Sequence, residues 1–272
     1  EHVNATASDI AQKIPFNLRW ELAFKAKYPD AVLMVKVSAP HLPVPPPPPA
    51  PAPPVPEPCS KALCGAVVPQ QKGEVDLSAV GISDWTHYGL GNDPKSVNRK
   101  CKVSRLIQPL KVTDGTMPSF NNDGMTYSWH GGGFEPGTPA AAQVGSTVST
   151  PDAVWSSAAK GAPGGFIFTV DIPPVDVPTN VYVYMGVSGN LATLNATLFS
   201  MHGSATGTFE YTMPAKTTGP YFIATLTIPP AKKPASKRTL SGQWTQVASD
   251  AKTVARNIQF HSIAVDAGSP IA

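Results

Sequence analysis

The sequence predicts an all-β protein: a jelly-roll-type β-sandwich with an N-terminal helix/strand segment and a polyproline II linker. Three observations predict it. From about residue 74 onward, short apolar-alternating runs recur between turn residues, with no long helical period among them. Charged residues make up only 14% of the chain, while 31 prolines and 22 glycines supply about a fifth of its 272 residues, a turn-rich composition. Residues 40–58 hold twelve prolines in nineteen positions and no glycine.

Residues 1–39 form the first segment. Ser8 and Asp9 are placed to cap a short helix through Ile10, Ala11 and Ile14, which Pro15 stops. The run from Leu18 to Ala26 fits both the helical and the alternating template. Residues 31–38, Ala-Val-Leu-Met-Val-Lys-Val-Ser, read as a strand rich in β-branched side chains. A lone strand must find partners for its amides and carbonyls. Val32, Leu33, Met34, Val35 and Val37 are therefore read as an assembly strand that adds to a neighbouring molecule's sheet. Folding back onto its own domain, or satisfaction by the preceding helices, are the alternatives.

Residues 40–58 are the rod. Each proline ring fixes φ and removes a backbone donor, so neither helix nor ladder forms. The result is a stiff spacer of about 60 Å at ~3.1 Å per residue. Residues 59–73 are a cysteine-bracketed connector. A short disulfide loop between Cys59 and Cys64 fits the spacing, as does a staple from either one to Cys101. The odd count leaves one thiol free or paired between chains, and too few Cys and His lie at ligand spacing for zinc.

Residues 74–267 are the sandwich, followed by a tail at 268–272. Strands are predicted over 75–82, 85–90, 102–110, 126–130, 166–170, 180–187, 192–201, 208–212, 221–228, 240–248 and 258–265. A stretch of this length closes one core.

The formal net charge of +3 offers no concentrated basic face for nucleic acid. No window of eighteen apolar residues suggests a membrane span. The opening residues lack the basic and apolar parts of a signal peptide, and a start at Glu1 fits a processed N-terminus. Sequons stand at Asn4 (with Thr6) and Asn195 (with Thr197). With the cysteine pattern, these point to an extracellular protein.

No catalytic, cofactor or metal set is expected. Asp84, His87 and His130 lie near tryptophans, but no hydrolase or metalloprotease frame surrounds them. They read as strand-end residues around a core filled by Trp85 and Trp129. Asn121-Asn122-Asp123-Gly124 reads as a hairpin turn before it reads as a calcium loop. Trp155, Trp244, Tyr88, Tyr182 and Tyr184 form either a sugar-stacking platform or core and interface packing, the latter favoured. The basic run 232–238 reads as a solvated loop that can also touch acidic polysaccharide.

The residues Asp84-Trp85-Thr86-His87-Tyr88-Gly89, Asn98-Arg99-Lys100, Ser128-Trp129-His130-Gly131 and Val181-Tyr182-Val183-Tyr184-Met185-Gly186 occur in that order. With Leu194 to Leu198 and Asn257 to Val265, this resembles an extracellular β-sandwich module of microbial cell-surface proteins. The resemblance spans roughly 74–265 and implies an accessory surface role without catalytic residues. The rod resembles the hydroxyproline-rich spacers of algal and plant wall glycoproteins of the pherophorin type. That likeness implies hydroxylation and glycosylation at Pro45, Pro46, Pro47, Pro48, Pro49, Pro51, Pro53 and Pro54. The sequence thus reads as an extracellular structural glycoprotein, a homo-oligomer or filament joined head-to-tail by its N-terminal strand and carrying covalent glycans. The alternative is a carbohydrate-binding or adhesive surface module with polysaccharide as its partner.

Overall fold

A computed structural model describes residues 61–70, 72–113, 117–121, 124–134, 148–157, 164–188, 191–213, 221–230, 237–247 and 257–268. The N-terminal segment with Asn4 and the 31–38 strand, the proline rod and Cys59 lie outside the described residues. So do Asn122, Asp123 and residues 231–236 of the basic loop.

The described chain is almost entirely β, arranged as three sheets. The central sheet runs in the order β1 (Cys64–Pro69), β15 (Tyr221–Ile228), β12 (Thr179–Ser188), β17 (Asn257–Asp266), β3 (Asp84–Tyr88), β4 (Val97–Lys100) and β8 (Gly132–Phe134). Strand β10 (Asp152–Ser157) continues the line of β3 along β17 and carries β6 (Ser119–Asn121) on its other side. The second sheet runs β14 (Ala205–Thr212), β13 (Ala192–Phe199), β16 (Arg238–Gln246), β11 (Gly165–Ile172) and β5 (Lys111–Val112). The third is small: β2 (Gly73–Asp76), β7 (Met125–Trp129) and β9 (Val148–Thr150), with β2 and β7 parallel.

The central sheet is the middle layer, because its strands are apolar on both faces. In β15, every residue from Phe222 to Ile228 is buried, and in β17 every residue from Ile258 to Val265. Such continuous runs belong to strands covered on both sides. One face meets the five-stranded sheet: Val181, Val183, Leu226, Phe260 and Ile263 pack with Phe166, Phe168, Leu194, Leu240 and Trp244. The other meets the small sheet, where Trp85, Tyr184 and Ile223 pack with Met125, Tyr127 and Trp129. Tyr182 and Tyr184 therefore point to the small sheet while Val181 and Val183 fill the larger core.

Two close approaches depend on glycine. Phe168 lies directly over Gly242, and a Cβ there would stand 2.0 Å from the ring. Gly89, at φ 91°, ends β3 against the Ala153 carbonyl of β10, which a Cβ would meet at 2.6 Å, in a conformation that side chains disfavour.

Several expectations are corrected. A third sheet covers the sandwich. Strand β1 lies in the stretch assigned to the connector, pairing along its full length with β15. The predicted strand 75–82 stops at Asp76, whose carboxylate caps a one-turn helix, α1 (Leu77–Val80), by accepting from Ser78 N at 2.8 Å and Ala79 N at 3.3 Å. Residues 102–110 form a crossing loop with a single bridge, Ile107 to Val170. The strands on either side of the expected Asn121–Gly124 turn pair in different sheets, β6 with β10 and β7 with β2 and β9, while Asn122 and Asp123 themselves lie outside the described residues.

Candidate functional site

The three residues singled out near the tryptophans do not assemble. Asp84 and His87 are fully buried, whereas His130 is exposed and joins Ser78 through its backbone: its amide donates to Ser78 Oγ at 2.8 Å. Asp84 is a structural hub. Its Oδ2 accepts from Leu106 N at 2.9 Å and Ile107 N at 3.1 Å and meets Arg99 at 3.3 Å, while its Oδ1 accepts from Trp85 N. Burial nevertheless raises its pKa, outweighing the two loop amides, Arg99 and Trp85. This carboxylate pins the 102–110 loop to β3.

His87 belongs to a buried aromatic layer. Its Nδ1 lies 2.9 Å from Ser262 Oγ, and its ring centroid is 4.9 Å from Trp129 and 5.4 Å from Tyr127. His261 sits beside it against Tyr127 and Tyr221. Burial pushes both imidazoles down to about 3, so both are neutral at ordinary pH. The layer is closed by Trp85 and Trp129, which are at most 1% exposed. No group of His, Cys, Asp or Glu among the described residues is arranged to hold a metal ion.

Of the aromatic candidates, Trp244, Tyr88 and Tyr184 are core residues, and Trp155 and Tyr182 are half-buried. Cys64 is disulfide-bonded and Cys101 is a free thiol, so neither staple to Cys101 is formed. Arg238 begins β16 and donates from Nη1 to the Pro229 carbonyl at 2.7 Å. No described helix is long and apolar enough to cross a membrane.

What the structure leaves open is the outer face of the five-stranded sheet. Strand alternation buries Leu194, Ala196 and Leu198 and turns Thr193, Asn195, Thr197 and Phe199 outward. Register then aligns rows across the sheet. Thr169, Ser241, Thr197 and Thr208 form one, and Ile167, Gln243, Asn195 and Glu210 the next. Asp171, Thr239 and Phe199 form a third at the rim. No described element packs on this face. Asp171 organises the rim: its carboxylate accepts from Gln108 Nε2 at 2.9 Å and Thr239 Oγ1 at 3.4 Å. Threonine suits any solvated strand. The functional reading rests on hydroxyls and amides held in register beside an outward aromatic ring. Phe199 carried no sequence signal, because its outward direction follows only from the sheet alternation.

Near that rim lies a cleft where β3 and β4 approach the crossing loop, lined by Thr86, Arg99, Arg105 and Gln108 over Val97 and Ile107.

No protein-family model and no curated protein matches the chain. Among solved structures it is similar to the enzymatically active domain of bacteriophage CBA120 tailspike protein 4, at 12% identity and a TM-score of 0.34 over 58% of this chain. The match spans 19% of that tailspike chain. It is also similar to TmCBM61 in complex with beta-1,4-galactotriose, at 6% identity and a TM-score of 0.32, over 58% of this chain and 88% of that one. Neither likeness assigns a ligand.

Proposed function

We propose that this chain is an extracellular carbohydrate-binding or adhesive module, displayed on its proline spacer, that binds polysaccharide without turning it over. One observation carries the reading: the outer face of the five-stranded sheet presents in-register hydroxyls and amides, with Phe199 as an aromatic platform. Sugar rings offer apolar C–H faces to aromatic rings and hydroxyls to such polar rows. Strands lie ~4.8 Å apart, so Asp171, Thr239 and Phe199 span about 10 Å, on the scale of two sugar residues.

Affinity gel electrophoresis against a panel of neutral and acidic polysaccharides tests it. At least one polymer retards the protein, and Phe199→Ala, at a half-buried ring, abolishes the retardation under conditions where an unfolding curve shows the variant fully folded. If no polymer in the panel slows the wild type, the reading fails.

A second reading, a self-assembling structural glycoprotein, is favoured by β14. Among the described residues this eight-residue strand pairs only with β13, leaving an edge that can template another strand. The 31–38 strand of a neighbour fits that role by pattern, and a head-to-tail contact that does not close gives a filament. Deleting residues 1–38 then yields soluble monomers; a truncated protein that still polymerises removes strand donation.

A further inference from the structure

Toward one end of the central sheet, the face that carries the small sheet presents a row of a different kind. Register aligns Trp155 (β10), Gln259 (β17), Gly186 (β12) and Tyr221 (β15) across four neighbouring strands. Their direction follows from alternation. Val154, Phe260, Met185, Val187 and Phe222 fill the larger core, so the row turns to the opposite side. The aromatic layer under the small sheet reaches it at Tyr221, whose ring centroid is 5.9 Å from His261. Trp155 and Tyr221 stand half-buried at the two ends, and three strand spacings of ~4.8 Å put their Cα atoms about 14 Å apart. Gly186 leaves the middle without a side chain, which in a strand marks a close approach to the backbone. Gln259 is the anomaly. It is 7% exposed, and its Oε1 is buried with no hydrogen-bond partner. In the next row, Asn257 Oδ1 is buried and unpaired as well. An unpaired buried acceptor costs free energy that an apolar side chain of the same size avoids. Both orphaned atoms are acceptors, and the row holds no charged residue.

We infer that this row is a subsite for one neutral sugar ring, separate from the outer face of the five-stranded sheet. Hydroxyls of the ring donate to Gln259 Oε1 and Asn257 Oδ1, and its apolar C–H face lies on Trp155. The open position at Gly186 lets the ring come close to the strand. An anionic sugar would bring a charge that no group in the row pairs, at a desolvation cost. The subsite goes beyond the sheet-face reading and does not depend on Phe199, which belongs to the other sheet and faces the other way. One ring binds only at about millimolar concentration, too weakly to slow a protein in an affinity gel. Gel retardation therefore reports the outer face, and a titration at high sugar concentration reports this one.

The test is an NMR titration of the full chain carrying Phe199→Ala, which silences the outer face, following the tryptophan indole N–H signals. The probes are cellopentaose, xylopentaose, mannopentaose and galactopentaose, with pentagalacturonate as the charged control. The Trp155 signal is the one that disappears in Trp155→Phe. At least one neutral sugar shifts it saturably, and the shift is lost in Gln259→Met, a near-isostere without the orphaned oxygen. Without sugar, Gln259→Met unfolds in denaturant no earlier than its parent, as expected of a polar group kept for a ligand. A lower midpoint makes Gln259 structural and overturns the subsite. So does a panel in which no neutral sugar moves the Trp155 signal, or a shift that survives Gln259→Met unchanged. Pentagalacturonate bound as tightly, with the same dependence on Gln259, overturns the neutral ligand class. The sheet-face reading stands or falls separately, on retardation of the wild type and its loss in Phe199→Ala.

Discussion

His87 Nδ1 lies 2.9 Å from Ser262 Oγ because a β-bulge in β17 brings Ser262 opposite it. The register of β17 against β12 pairs Met185 with Phe260 and Tyr184 with Ser262, leaving His261 as the extra residue. Phe260 and Ile263 both serve the larger core, so the odd residue between them turns His261 and Ser262 toward the aromatic layer. Two imidazoles end up enclosed between sheets.

This geometry predicts acid lability. Both histidines have folded values of about 3 against 6.5 when unfolded. Between those limits the unfolded chain binds more protons, so stability rises with pH; it is complete above 6.5 and is lost as pH falls toward 3. Two such sites give a slope of up to ~2.7 kcal/mol per pH unit. Urea unfolding across that window shows the slope roughly halved in His261→Gln. An unchanged slope removes the histidines as its source.

Asp84→Ala strands Arg99 and the amides of Leu106 and Ile107, and destabilises by about 3–5 kcal/mol. Asp84→Asn costs less, because an acceptor is kept and burial already disfavours the charge. Denaturant unfolding orders the two variants, and a loss below ~1 kcal/mol for Asp84→Ala would deny the hub role.

Gly242→Val drives a branched side chain into the Phe168 ring and destabilises by at least 1–3 kcal/mol, the usual range for overpacking. Pairing it with Phe168→Leu recovers part of that loss, measured as a double-mutant cycle. Additive effects would mean that the ring and the glycine are independent.

Unreduced folded protein takes up a thiol-alkylating reagent at Cys101, and Cys64 is labelled only after reduction. Peptide mapping by mass spectrometry reads both, and modification of Cys64 without reductant contradicts the bonded state.

The parts of the fold legible in the sequence are those where local pattern and tertiary context agree. Strand β15 lies over 221–228 as its β-branched and aromatic run predicts, and β11, β12, β13 and β17 differ from expectation only at their ends. Trp85 and Trp129 fill the core as expected. What escaped were strands whose residues carry no pattern, such as β8 (Gly-Gly-Phe) and β4 (Val-Asn-Arg-Lys), which exist because a neighbour completes their ladder. The 102–110 loop failed for the opposite reason. Its alternation suits a strand, but Asp84 takes the amides of Leu106 and Ile107 that a ladder would have used. The third sheet could not be foreseen, because β2 and β7 pair in parallel across some fifty residues. The candidate face itself was not legible: Trp244, Tyr88 and Tyr184 are core, as the favoured packing reading has it, and the outward residues of β13 and β16 follow only from the strand register.

Asn195 decides between the two functional readings. It is exposed in mid-strand on the outer face, paired in register with Gln243 on one side and Glu210 on the other. A glycan attached there would stand on the same surface that the carbohydrate-binding reading requires to be open. Protein made without glycosylation, or Asn195→Gln made with it, binds polysaccharide, and occupied wild type does not. Glycopeptide mass spectrometry of the native material then settles which state exists. Full occupancy at Asn195 leaves the face covered, and the self-assembling glycoprotein is the reading that survives; an unmodified Asn195 with measurable polysaccharide affinity, lost in Phe199→Ala, leaves the binding module.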